Sequence, residues 1–370
     1  MTKKVNTAQR GFPILIAYPR PIKWVKKNEK DDWNTSLAEL NRREYDYVKL
    51  HRLSASFDVD LRPPFCMHMG FNGALILPAL KELYPLEKSV ELFNKFIGKL
   101  ILGGVFYNSI EPSEIDKGLL YETGYFRGFG VSDDPFARIQ ATLQTKMAGS
   151  LDEMDLLYPV FIKASELHNA YKIGKKVIES IDNLSEDLLL KGVSAFIGHS
   201  WAEGLSNLWI CLEQIVSKFW DIEYVSKTDD IKPKISGRKE FLKDERTWTT
   251  AAKIEMLFNK QLINAEIYAL LNRARKARND LSHRGSIPRI MDVEAAFDAI
   301  FALISLIAYG SITHMDSISG KYKKMDPIKK RERIISKAPI PIDQMEGVWL
   351  GPMPPIPGEK QWGKKKYEKV

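Results

Sequence analysis

The segment Arg278-Asn279-Asp280-Leu281-Ser282-His283-Arg284-Gly285 gathers side chains that can act on a phosphodiester. An imidazole titrating near neutrality can take the proton of a ribose 2′-hydroxyl or protonate a departing 5′-oxygen, and a guanidinium can stabilise charge building on the phosphate. Arg278 and His283 are five positions apart, which leaves about 140° of net rotation on an ideal helix, so they do not share a stripe. Asn279 and His283, at i and i+4, do. A site using all three must therefore draw on a frayed helix end or on the same end of a second chain. One histidine cannot readily perform both proton transfers at once, and pairing two chains supplies a second. A plainer account of the same residues is that basic side chains suit the last turn of a helix, where they complement its dipole.

Several elements must hold this segment. Apolar spacing predicts a helix over residues 251–283, stopped by Gly285, and a further helix after the Gly285 to Pro288 turn. Asp292 is expected to cap that last helix, with Glu294 in its first turn. Its apolar residues, from Phe297 through Ile307, run almost all round, which places it in a core or at a subunit interface. Upstream, a pattern from Leu188 to about Phe219 includes Leu205, Leu208, Trp209, Leu212, Ile215, Val216 and Phe219, spaced as a buried helix face, with a break expected near Gly198 or Gly204. The cluster Ser185-Glu186-Asp187 reads as that stretch's N-terminus, and residues 152–181, through Phe161, Leu167, Tyr171 and Val177, as one or two helices. Residues 226–250, with Pro233 and Gly237 as breakers, read as a surface connection carrying a short helix.

Before Gly149 the texture differs. Runs such as Pro13 to Tyr18, Ser54 to Leu61 and Leu119 to Phe126 are bounded by Pro, Gly and Asp and suit strands, while Leu86 to Leu102 has helical spacing stopped by Gly103-Gly104. The expected class is α+β: a mixed α/β domain over residues 1–150, an all-α domain over 151–318, and a basic, proline-rich tail over 319–370. The tail is distinctive in charge. Residues 321–370 carry thirteen Lys and Arg against six Asp and Glu, so they hold +7 of the chain's +8, and seven of its nineteen prolines. Such a tail suits a polyanionic partner through counterion release, or simply aids solubility.

Other groups offer less. Cys66 and Cys211 are far apart and lack CxxC spacing, which favours a reducing compartment. With no apolar run long enough to span a bilayer and no leader pattern, a cytoplasmic protein without membrane contact is expected. His168 and His199 have no partner at metal-ligand spacing, Cys66-Met67-His68 has no second ligand pair, and Gly70 and Gly73 are not followed by Lys-Ser or Lys-Thr. No metal or other cofactor is expected. Tyr121, Tyr125, Phe126 and Phe129 near Arg127 could stack on bases, although strand core is the commoner fate of such rings.

The segment RNDLSHRG resembles the arginine–asparagine–histidine motif of HEPN domains, an all-helical fold found in bacterial toxins and in abortive-infection and other anti-phage proteins. Leu208 to Glu213, LWICLE, also resembles the family's upstream helix, where an aromatic and a carboxylate precede the motif. The order of parts agrees over residues 152–315: that helix, a connection, the motif helix, a tight turn and a final apolar helix. The resemblance implies a metal-independent endoribonuclease acting as a homodimer, with His283 as general acid or base and Arg278 stabilising the phosphate. It further implies that Asn279 holds the motif geometry, that Glu213 orients the basic pair, and that products end in 2′,3′-cyclic phosphate. An antitoxin or other regulatory partner, or the N-terminal domain, would restrain such an activity. The alternative from another class is a non-catalytic RNA-binding or protein-assembly module.

Overall fold

In β1 (Gly11–Ala17) the side chains alternate between two buried clusters: Leu15 and Ala17 enter one, Ile14 and Ile16 the other. A pleated backbone with period two requires this of a strand covered on both faces. The computed structural model describes residues 11–146, 156–230, 232–311 and 315–325. Its contacts define two units, residues 1–325 and 326–370, and all described residues belong to the first. The expected tail from residue 326 onward and the expected boundary at Gly149 lie outside the described residues.

Beyond β1 the strands are β2 (Trp24–Lys26), β3 (Leu53–Phe57), β4 (Met67–Gly70), β5 (Leu75–Pro78), β6 (Asp116–Tyr121), β7 (Phe126–Gly128) and β8 (Phe161–Lys163). Six of them form an antiparallel sheet ordered β3-β4-β5-β1-β6-β7, in which β1 is flanked by β5, through Ile16↔Ile76, and by β6, through Ile14↔Gly118. Strands β2 and β8 pair in parallel apart from it. Two expectations need correcting here. Leu119 to Phe126 is not one strand but the hairpin of β6 and β7, because Gly124 turns the chain at a φ of 78° that only glycine adopts freely. Phe161 lies in β8 rather than on a helix, and the following helix starts at Ala164.

Among the described residues the α-helices are α1 (Leu37–Arg42), α2 (Tyr47–Leu50), α3 (Leu86–Leu102), α4 (Pro135–Leu143), α5 (Ala164–Ser180), α6 (Glu186–Ile197), α7 (Trp201–Trp220), α8 (Arg238–Lys243), α9 (Thr250–Asn259), α10 (Ala265–Arg284), α11 (Ile290–Tyr309) and α12 (Asp316–Lys323). The chain is thus mixed α/β, an antiparallel sheet followed by helices. Helix α3 has the bounds its apolar spacing predicts and joins the two parts. Its Phe93, Phe96, Ile97, Leu100 and Ile101 are buried in one core that also holds Leu15 of the sheet, Leu212 of α7 and Phe297 of α11. At the α3–α5 contact the backbones nearly touch, since a Cβ on Gly174 would lie 2.0 Å from the Lys99 carbonyl oxygen.

The helical part follows its sequence signals with local shifts. Ser185 caps α6, its side chain accepting from the Leu188 amide, and the expected break falls at Gly198, leaving Gly204 inside α7. The single helix expected over 251–283 is two, α9 and α10, broken where Gln261 adopts a left-handed φ of 58°. Asp292 is not the cap residue of α11: Arg289 is, and Asp292 sits three positions later with its carboxylate accepting the Arg289 amide. Helix α11 is buried almost all round, as its composition demands. No helix among the described residues is long and apolar enough to cross a membrane.

Candidate functional site

Helix α10 carries the motif, and its two ends are well made. Asn264 caps the start, its Oδ1 accepting the Ile267 amide at 2.9 Å. Gly285 closes the end at a φ of 64°, donating to the Asp280 and Leu281 carbonyls. Between them the helix is regular through Arg284, so its end is not frayed. Ile267, Leu271 and Ala274 are its buried stripe, and Arg278, four positions after Ala274, continues that stripe toward the helix end. Five further positions carry His283 round to an exposed face.

Helix α7 supplies the facing wall. Trp209, Glu213 and Ser217, each four apart, form one edge stripe beside the fully buried Leu208, Leu212 and Ile215. Arg278, Asn279 and Glu213 line a single cleft of about 580 Å³ between these helices. His283 does not line it. The half-buried Glu213 forms no hydrogen bond or ion pair with Arg278 or Asn279 among the described residues, so the orienting contact that the resemblance implies is not made within one chain. Arg278 instead reaches its neighbour, Nη1 lying 3.4 Å from Asn279 Oδ1. Asp280 pairs with Arg284 at 3.2 Å, and Arg273 with Asp292 at 2.8 Å.

The third wall spans the end of the expected connection, up to residue 250, and the first turn of the helix expected from residue 251. Trp248 and the first turn of α9, Thr249 to Ala251, line the cleft, as does Lys253 one turn on. Lys253 is only 8% exposed, and its Nζ donates to Ser217 Oγ at 3.0 Å. Arg275, which lines the cleft from α10, is held by Asn272 Oδ1 at 3.1 Å. Trp248 is anchored by its ring against Trp220, 4.7 Å away, and Trp220 in turn donates to the Leu242 carbonyl at 2.9 Å. The signal for α9 was present in Thr249, a capping residue before an apolar run, whose Oγ1 accepts the Ala252 amide. Nothing in a linear pattern marks Lys253 as buried.

The remaining candidates are dispersed. His168 packs on the Phe57 ring at 4.5 Å, and His199 stacks on Trp201 at 4.7 Å. His68 lies 2.8 Å by Nδ1 from Ser56 Oγ and 3.5 Å by Nε2 from Cys66 Sγ, while burial and the Asp58 charge push the Cys66 thiol up. Cys211 is fully buried on α7, which pushes its thiol up to about 12. Gly70 and Gly73 shape the β4–β5 turn, and Phe126 is in the core, whereas Phe129 is half-exposed. No protein-family model matches the chain, and comparison with curated proteins and with solved structures finds no match to either.

Proposed function

We propose that this chain is a metal-independent endoribonuclease whose helical part, residues 151–318, is HEPN-like and works as a homodimer, in the role of a toxin or anti-phage effector. One observation carries the reading: Arg278 and Asn279 of the motif and Glu213 of the upstream helix, distant in sequence, line one cleft. The position of His283 supports the two-chain form of the site. It is exposed at the end of the helix whose other face holds Arg278, so a second copy docking on that end would bring its own histidine and arginine beside the first pair. One imidazole then removes the 2′-hydroxyl proton as the 2′-oxygen attacks phosphorus. The P–O5′ bond breaks, the other imidazole protonates the leaving oxygen, and the products are a 2′,3′-cyclic phosphate and a 5′-hydroxyl. Arg278 offsets the charge gained by the phosphoryl oxygens. Residues 1–150 or a separate antitoxin-like partner would hold the activity in check.

The test is incubation of RNA with the protein in EDTA. Cyclic phosphate ends are expected, with cleavage lost in His283→Ala and in Arg278→Ala while the dimer persists. Variants that cut as well as the parent would remove the site assignment. Because His283 stands outside the cleft, a second reading is a non-catalytic RNA-binding or assembly module, which predicts RNA affinity without products.

A further inference from the structure

The cleft gathers cations beyond its motif residue. Lys253, Arg275 and Arg278 line it together with the carboxylates of Glu213 and Glu245, and none of the three cations has a carboxylate within 4.0 Å among the described residues. Lys253 is the most telling. An ammonium group has three donors, and a lysine more than nine-tenths buried ordinarily meets a counter-ion, yet its only partner among the described residues is the Ser217 hydroxyl. Beside it begins α9, a helix of ten residues. Thr249 Oγ1 satisfies the Ala252 amide, which leaves the Thr250 and Ala251 amides with no partner among the described residues, and both residues line the cleft. The positive end of a helix dipole thus converges with a buried ammonium on one wall. The adjoining walls are indoles: Trp209, whose buried Nε1 has no hydrogen-bond partner, and Trp248.

We propose that the first turn of α9 and Lys253 form a phosphate subsite for single-stranded RNA, holding a phosphodiester next to the one cut, with the neighbouring base against the Trp248 indole. The subsite rests on the ribonuclease reading, because it assigns RNA to the same cleft. Its chemistry is complete without Arg278 or His283: two backbone N–H groups and an ammonium recognise a phosphate oxyanion, and aromatic rings accept any base. Lys253 is a binding residue in this scheme and takes no part in proton transfer.

The experiment measures binding of a short, mixed-sequence, fluorescently labelled single-stranded oligoribonucleotide to full-length His283→Ala protein in EDTA, over a range of salt. Lys253→Met keeps the length and packing of the side chain and removes its charge. Thr250→Pro deletes one amide donor at the first helical position, where proline is well tolerated and where the preceding Thr249 is already extended, at φ −62° and ψ 159°. Lys253→Met is expected to weaken binding about tenfold, as loss of a charged hydrogen bond does, and to flatten the salt slope by about 0.7, while its unfolding midpoint stays equal or rises. Thr250→Pro should weaken binding several-fold with its helix content unchanged. A merely structural lysine would lower stability and leave the salt slope alone. Two variants that bind like the His283→Ala parent, or a parent that binds no RNA, would overturn the subsite. Lysine-dependent binding by a wild-type chain that cuts nothing would keep the subsite and remove the catalytic reading.

Discussion

Replacing Gly174 by alanine should destabilise the protein even though alanine is the better helix former. A methyl group there would sit 2.0 Å from the Lys99 carbonyl oxygen and 2.6 Å from its carbon and Cα. The neighbour is helix backbone, which cannot rotate aside, and the contact is reciprocal, since a Cβ on Gly103 would lie 2.2 Å from the Ala170 Cα. Helices α3 and α5 must therefore separate by about 1 Å, enough to forfeit up to roughly half the dispersion energy of the contacts between them. Overpacking of this kind costs about 1–3 kcal/mol, and the propensity gain returns up to about 1 kcal/mol. With a rigid neighbour on each side the net loss should be about 2 kcal/mol. Urea unfolding followed by far-ultraviolet circular dichroism would show it as a fall of roughly 0.5 M in midpoint, for a slope of about 3 kcal/mol/M or more. Gly320→Ala is the control: it lies in α12 with nothing within 4 Å of the added methyl, so it should gain about 0.5–1 kcal/mol. Because α3 belongs to the core of both the sheet and the helices, tryptophan fluorescence should follow the same transition. If Gly174→Ala is as stable as the parent, the close approach of α3 and α5 is not the contact described, and the reasoning fails.

Two further outcomes are expected. Mixing wild-type with His283→Ala subunits should lower cleavage as the square of the wild-type fraction if both histidines serve one shared site; a fall in simple proportion to that fraction would confine the site to one chain. Burial holds His51 neutral, with its pKa pushed down to about 4, and its Nδ1 pairs with the Tyr47 carbonyl at 2.9 Å. Its folded value lies below the unfolded one, so the unfolded chain takes up the proton first. The contribution of His51 is therefore full above about pH 6.5 and is lost as pH falls toward about 4, by about 3 kcal/mol. His51→Phe, beside the Phe126 ring at 5.6 Å, should show a shallower fall in urea midpoint over that window; parallel pH profiles would contradict the burial argument.

The bounds of α3, the Ser185 cap, a stop at either Gly198 or Gly204 and the burial of α11 were all legible, because each rests on a local rule: apolar period, capping chemistry or helix punctuation. The rules failed where two local choices competed. Asp292 and Arg289 both lie near the start of α11, and only the position of the carboxylate relative to the Arg289 amide decides that the aspartate caps from three residues within. The break between α9 and α10 has no glycine or proline to announce it, and Gln261 takes a left-handed conformation that its type does not advertise.

Spacing alone determined that Arg278 and His283 look in different directions, since helix geometry depends only on residue count. Tertiary packing decided the rest. It turned the Arg278 face toward Glu213 on α7 and left His283 in solvent, and it closed the third side of the cleft with Trp248, the start of α9 and a buried Lys253. Trp248 to Thr250 come from a stretch that reads as a surface connection and Lys253 from the start of an expected helix, and neither reading marks them as cleft residues, because burial arises from what other segments place against a side chain and no local pattern records it.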